Sequence, residues 1–519
     1  MKIALINPPY RETYHVLGPV YPIGLGMIQA NCKKNGIKVD LYDFTMTEHT
    51  NDELIEKYSL DKYDLIGVSS FTIIFESIIK FIRKIKQSNP QVIIVVGGHH
   101  MSLARKRVLE DFEEIDYGLI GFGENSFYNF VVNYNSDKRY QTEGLCYRKN
   151  NKVFENPISY EEWNLDDFPF PDRNNIIYDY NEAKARKDRG GTLSISSSRG
   201  CPYRCTYCVN CKNSYWLKRS IENVMEEIES YCKIKKCSII TFADCNFFVD
   251  PVRAKNIITL IHAKYPDIKI SFQTRTDQIV NNEMIIKEIL ETGPCIISVG
   301  VESDSEIVLK RYQKDTTCEI NQKAMDILKK YNAESNSYII MFEALETLQD
   351  IRKNYEFLVR NKITGFMQVN NLYQTLVPFF GATYYEMYHQ YYKGSIHTRA
   401  IPEFVHSDVR SLYDVISIFR NEYEDKITEL VYTIEAIYRE HKNNIKITED
   451  LIFVMKCQYI IFEYFLIMAE KYGSCDYNIF KESAICKKVN ELIEEYLDED
   501  AIQRIEKIAA AQKSNMEMV

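Results

Sequence analysis

Ser198-Arg199-Gly200-Cys201-Pro202-Tyr203-Arg204-Cys205-Thr206-Tyr207-Cys208 follows directly on an apolar run, residues 192–196, that reads as a strand. It places three thiols in one short loop at C-x-x-x-C-x-x-C spacing. Thiolate is a soft ligand suited to iron–sulfur clusters or to zinc. Three of them leave a cube of four irons one ligand short, whereas a structural zinc site is normally closed by a fourth Cys or His. Cys211 is the one candidate for closing it. The competing readings are a small zinc knuckle or three separate reduced thiols. An iron left open for another ligand is what makes the loop informative.

Working outward, the chain of 519 residues is too long for one hydrophobic core, so two or three domains are expected. Its 45% hydrophobic and 26% charged content is ordinary for a globular protein. A net charge of −9 argues against a general nucleic-acid binder, which would carry a basic field along one face. The 14 cysteines are spread along a chain that opens Met1-Lys2-Ile3-Ala4 without a signal-peptide core, so a reducing, cytoplasmic location is expected. The most apolar late run, residues 459–469, is interrupted by Glu463 and is too short to span a bilayer; a buried helix is expected there and no membrane span.

Before the thiol loop, residues 1–135 alternate short apolar runs with amphipathic segments, the pattern of a doubly wound, flavodoxin-like α/β sheet. Strands are expected at 3–6, 39–42, 65–69, 93–96 and 117–120. Ligands of such sheets bind beyond the carboxyl ends of the strands. Those ends carry Asn7-Pro8-Pro9-Tyr10, Ser69-Ser70-Phe71-Thr72, Gly97-Gly98-His99-His100 and Gly121-Phe122-Gly123-Glu124. Glycines there let a large planar ligand approach the backbone. Residues 136–191 are polar and contain Pro157, Pro169 and Pro171, so they read as a connecting segment with a short hairpin that wraps the domains it joins.

From Thr192 the β-then-α alternation resumes, with strands expected at 193–196, 239–242, 270–273, 296–301, 338–342 and 368–372. Polar residues gather at their ends: Asp244, then Gln273 with Arg275 and Asp277, then Gly300-Val301-Glu302-Ser303. Residues 386–519 are helical, chiefly 411–442, 448–471 and 486–496, and are expected to cap the preceding domain. Cys457, Cys475 and Cys486 lack the close pairing of a second cluster and read as buried or incidental thiols.

The thiol spacing, the Gly200-Cys201-Pro202 lead-in and Tyr207 before the last cysteine resemble the radical S-adenosylmethionine (SAM) superfamily. The resemblance implies a [4Fe-4S] cluster on Cys201, Cys205 and Cys208, with SAM bound through its amino group and carboxylate to the open iron. It also implies that residues 192–385 form a partial (β/α)6 barrel. Tyr207, Asp244, Gln273, Arg275, Glu302 and Ser303 match SAM-contacting positions, Arg275 suiting the SAM carboxylate. An Arg275–Glu302 ion pair inside the barrel is the competing structural reading.

Upstream, Pro22-x-Gly24-Leu25, the Gly97-Gly98 loop and Gly121-x-Gly123-Glu124 resemble the cobalamin-binding domain that precedes many radical SAM enzymes. This implies that Asn7, Pro8, Ser69, Ser70, Thr72, Gly97, Gly98, His99, Gly121, Gly123 and Glu124 lie at the corrin. The D-x-H-x-x-G motif that supplies a cobalt-binding histidine elsewhere is absent, so no protein imidazole on cobalt is expected. His99 and His100 are expected to line the loop or to satisfy local hydrogen bonds.

Together these implications point to a cobalamin-dependent radical SAM methyltransferase acting at an unactivated carbon, or phosphorus, of a small molecule. It would draw electrons from a flavodoxin- or ferredoxin-type one-electron reductant. A cyclisation, ring contraction or rearrangement would use the same motifs. A non-catalytic cluster or cobalamin sensor is the third reading, and the set of SAM-like strand-end residues counts against it.

Overall fold

The apolar run Ile3–Asn7 forms β1, its first four residues buried, and pairs in parallel with β2 (Asp40–Asp43) and β3 (Leu65–Ser70). β4 (Ile93–Gly98) and β5 (Tyr117–Leu119) continue the parallel sheet in the flavodoxin-like order 2-1-3-4-5. Because both faces are covered, β1, β3 and β4 begin as continuous apolar runs rather than alternating ones. One face packs on Phe75, Ile78, Phe81 and Ile82 of the helix Phe75–Ser88. The other packs on Leu25 and Cys32 of Ile23–Lys34 and on Phe127 and Phe130 of Gly123–Val132. The computed structural model describes residues 1–9, 21–161, 163–179, 191–209, 215–364, 366–440 and 444–497. Tyr10 and Cys211 lie outside the described residues.

The segment read as a connector does more than wrap. It supplies the hairpin β6 (Leu145–Lys149) and β7 (Lys152–Glu155), antiparallel to β5, and it sends β8 (Ile176–Tyr178) back to pair beside β2. The sheet therefore has eight strands. Asn150 and Asn151, with φ of 50° and 57°, make the tight hairpin turn.

β9 (Thr192–Ile195) opens the second sheet. The residues leading into the thiol loop are themselves a short strand, β10 (Ser198–Gly200), antiparallel to β11 (Trp216–Lys218). Then β12 (Ile239–Phe242), β13 (Lys269–Arg275), β14 (Cys295–Glu302) and β15 (Glu334–Ile339) complete a sheet ordered 15-14-13-12-9. The sixth strand expected at 368–372 is instead a 3-10 segment, Phe366–Leu372. The reason is the Asn371 side chain, which donates to Ser337 O at 2.8 Å and accepts from Ile339 N at 3.0 Å, occupying the backbone groups a strand would have paired. Strand-like pairing survives only as a parallel bridge between Phe342 and Thr375.

The chain divides into two units, Met1–Gly300 with Lys310–Asn336 and Val377–Ile401, and Val301–Leu309 with Ser337–Leu376 and Pro402–Val519. In the second unit the helices Ser407–Glu440, Ile445–Tyr472 and Ala484–Tyr496 share a core that includes Leu430, Ile434, Val454 and Leu492. The apolar run at 459–469 lies in the C-terminal half of the 28-residue helix Ile445–Tyr472, a little longer than the expected 448–471. Among the described residues it alone has the length and composition to cross a membrane, and half of its most apolar window is buried in the fold. Its buried Asp450 binds Tyr496 at 2.9 Å and Lys488 at 3.1 Å, and its buried Gln458 accepts from Tyr373 at 2.7 Å, partners that suit a packed protein helix.

Candidate active site

The thiol loop bridges β10 and β11. Gly200 enters it at φ 80°, and a Cβ there would lie 2.3 Å from Tyr215 O, so only glycine fits. The loop is stitched down at its centre. Thr206 N donates to Tyr312 O at 2.9 Å, Thr206 Oγ1 to Arg311 O at 3.0 Å, and Thr206 O accepts from Tyr384 N at 2.8 Å. Cys208 N closes a turn on Cys205 O at 3.1 Å. Cys205 is buried, while Cys201 and Cys208 are half-buried.

Two cations face this loop. Arg275 Nη1 lies 3.4 Å from Cys205 Sγ, its Nε donates to Asp277 Oδ1 at 2.8 Å, and its guanidinium stacks 4.1 Å over the Tyr203 ring. Lys314 Nζ donates to Tyr207 Oη at 3.3 Å. Burial pushes the Cys201 thiol up, with Arg275 and Lys314 pulling against it. Burial likewise opposes the Arg275 charge, but Asp277 and Cys205 outweigh it and its pKa is raised. Among the described residues no three His, Cys, Asp or Glu side chains converge as they would on a single metal ion. A four-iron cube takes its thiolates at separate irons, so three thiols on one pinned loop with two cations beside them fit it.

The other strand-end residues divide. Asp244, 1% exposed, accepts from Ser197 N at 2.9 Å, Ser197 Oγ at 2.8 Å and Ser198 Oγ, so its carboxylate holds the approach to the loop. Burial raises its pKa. Arg253 clamps the same Ser197, donating to its O at 3.0 Å. Gln273 is exposed on β13, in register with Ser298. Glu302 and Ser303 fall in the second unit. There Glu302 has φ 67° and its O accepts from Ile340 N at 2.8 Å, while the buried Ser303 Oγ donates to Asn354 Oδ1 at 2.9 Å. The charged partner of Arg275 is thus Asp277.

In the first sheet the expected loops do lie at strand ends. Asn7 Nδ2 donates to Asp43 Oδ1 at 3.2 Å, and Pro8 is buried beside it. Ser70 Oγ donates to Gly97 O at 2.6 Å and accepts from Met101 N at 3.2 Å, while Ser69 is half-buried. Gly98 has φ 93°, and a Cβ on it would sit 2.8 Å from Ser70 N and O. Gly121 N is held by Ser102 Oγ at 3.0 Å, and Gly123 and Glu124 open the helix Gly123–Val132. His99 is exposed, its ring centroid 5.5 Å from that of Phe71. His100 is buried, bonded to Thr72 Oγ1 at Nδ1 and to His397 Nδ1 at Nε2, both at 3.0 Å. Glu124 is 2% exposed and forms an ion pair with Arg199.

The B12 binding domain family matches residues 13–131 and the radical SAM superfamily matches residues 195–358. The chain thus carries a B12 binding domain followed by a radical SAM domain. Its cofactors are a [4Fe-4S] cluster, SAM and cobalamin. An uncharacterized methyltransferase of Pyrococcus horikoshii is 25% identical over 69% of this chain and 77% of its own length. The anaerobic magnesium-protoporphyrin IX monomethyl ester cyclase of Rubrivivax gelatinosus is 22% identical over 69% of this chain and 65% of its own. The solved structure of the cobalamin-dependent SAM radical enzyme OxsB with aqua-cobalamin superposes with a TM-score of 0.71 over 100% of this chain and 81% of that one, at 18% identity. In this radical SAM enzyme, sequence reasoning left Arg199, Asp111, Lys314 and His397 without a role. Arg199 alone carried a signal, being a charge inside the thiol motif itself.

Proposed function

We propose that this enzyme transfers a methyl group to an unactivated carbon, or to phosphorus, of a small-molecule biosynthetic intermediate. The observation that carries the reading is the direct tie between the loop 121–124 and Arg199, two residues before Cys201. In this reading it holds the loop proposed for the corrin against the loop proposed for the cluster, and both lie in one unit. In this reading Cys201, Cys205 and Cys208 hold the cluster. Arg275, Tyr207 and Gln273 serve SAM, as do Glu302 and Ser303, and Asp244 serves it by holding Ser197 and Ser198. The ends of β1, β3, β4 and β5 cradle the corrin through Asn7, Pro8, Ser69, Ser70, Thr72, Gly97, Gly98, His99, Gly121 and Gly123. Bound together, these groups supply hydrogen-atom abstraction and a methyl donor. The chain's own task is to keep the pocket dry and the reacting atoms in near-contact geometry, where a misplacement of about 1 Å costs roughly 10²-fold in rate. A flavodoxin- or ferredoxin-type protein would deliver the electrons.

A second reading, a cyclisation or rearrangement without methyl transfer, is favoured by the similarity to the Rubrivivax cyclase. The substrate would be found by comparing metabolites with and without the gene. Enzyme given that substrate, methyl-labelled SAM and a strong reductant should yield labelled product, with S-adenosylhomocysteine and deoxyadenosine in comparable amounts. Deoxyadenosine with an unlabelled, oxidised product would favour the second reading.

A further inference from the structure

Arg199 sits on β10, yet its side chain leaves the hairpin for the first sheet. Its Nη2 donates to Glu124 Oε1 and lies 2.8 Å from Met27 Sδ, and its guanidinium stacks 4.6 Å from the Phe122 ring centre. The paired side chains are 12% and 2% exposed. An Arg–carboxylate contact this well buried is a charge-assisted hydrogen bond with little water to compete for it. Neither end is loose. Glu124 O accepts from Asn31 Nδ2 at 2.9 Å, in the first turn of its helix. Arg199 pairs across β10 and β11 with Leu217, which in turn packs on the cluster formed by Met27, Leu165 and Phe168. An apolar contact would resist separation of the two elements but would let them slide. A short ion pair with a stacked guanidinium has a preferred geometry and does not.

We propose that Glu124 and Arg199 are positioning residues that set the register between the corrin loop and the cluster loop, Glu124 acting through Arg199 rather than by touching a cofactor. This rests on the reading that cobalamin lies at residues 121–124 and the cluster on Cys201, Cys205 and Cys208. The reaction needs that register because one substrate atom must be reached from both cofactors.

The test is the spin–spin splitting between cob(II)alamin and the reduced cluster in the paramagnetic resonance spectrum of the loaded enzyme, read with iron and cobalamin contents. Glu124→Gln is expected to broaden or abolish the resolved splitting while both contents stay at the wild-type level. Arg199→Lys, which keeps a charge but not the fork, should give a shifted, broader splitting. The double variant should be no worse than the more affected single variant, as for residues that act as one unit. In the apo chain the same substitutions should raise amide exchange at 121–124 and 198–200 together. A wild-type splitting in Glu124→Gln would overturn the proposal. So would loss of cobalamin with the splitting intact in the loaded fraction, which would make Glu124 a cofactor ligand. Wild-type enzyme that holds both cofactors without any coupling would overturn the underlying placement as well. Should Glu124→Gln fold poorly, Arg199→Lys carries the same comparison.

Discussion

Acidifying the apo protein from pH 7 to pH 5 probes the buried histidine chain behind the Gly97-Gly98 loop. His397 Nε2 faces the Asp111 carboxylate at 2.8 Å and must donate to it. That leaves His397 Nδ1 to accept from His100 Nε2–H, and His100 Nδ1 to accept from the Thr72 hydroxyl. Both rings are neutral in this arrangement. Burial, then the neighbouring His397, lowers the His100 pKa to about 3. Burial also lowers that of His397, against the pull of Asp111 and with the Arg107 charge nearby. In the unfolded chain a histidine titrates near 6.5. Below that pH the unfolded state takes up a proton that His100 refuses, so this stability is complete above about pH 6.5 and is lost as the pH falls. The slope is about 1.4 kcal/mol per pH unit, or about 2 kcal/mol at pH 5. For the compact unit that holds this sheet that is about 3 °C in melting temperature. Calorimetry of wild type and His100→Phe, which keeps a ring against Phe75, separates this effect from carboxylate titration common to both. The variant should be less stable at pH 7, with the His100 increment gone from its drop between pH 7 and pH 5. An equal drop in the two proteins would refute the assignment.

Two further outcomes follow from the site. Cys205→Ala should lose the cluster and deoxyadenosine formation without losing the fold, and Cys211→Ala should keep both, read by iron content and product analysis; the reverse pattern would move the cluster. The cob(II)alamin form should show no nitrogen superhyperfine splitting from a protein imidazole, because both ring nitrogens of His100 are engaged; splitting lost in a His99→Ala, His100→Ala double variant would show otherwise.

Legibility in the sequence followed the strength of the periodic signal. β1 to β5 were readable because each is an apolar run between amphipathic helices, and the thiol loop because three soft ligands in one short stretch admit few readings. A short hairpin is legible somewhere in 136–191, but the place of β6 and β7 beside β5 is not, because both strands are short and carry mixed polarity. β8 is three residues long and partly exposed, below any pattern threshold. The sixth strand was misplaced because an asparagine side chain imitates backbone pairing. His397 lies 297 residues from His100, so nothing local could join them.

β10 shows why so short a strand can govern the site. Successive strand side chains point to opposite faces, and here the two faces meet different partners. Ser198 turns to Asp244 beyond β12, whereas Arg199 turns to Glu124 in the first sheet. Gly200 then permits the sharp entry to Cys201 that a Cβ would block. Three consecutive residues thus fix the first thiol against its own sheet, against the loop 121–124 and against the returning strand. Asp244 belongs to this scheme through its hold on Ser197 and Ser198. Replacing either anchor should therefore disturb the cluster's relation to one sheet while leaving its relation to the other intact.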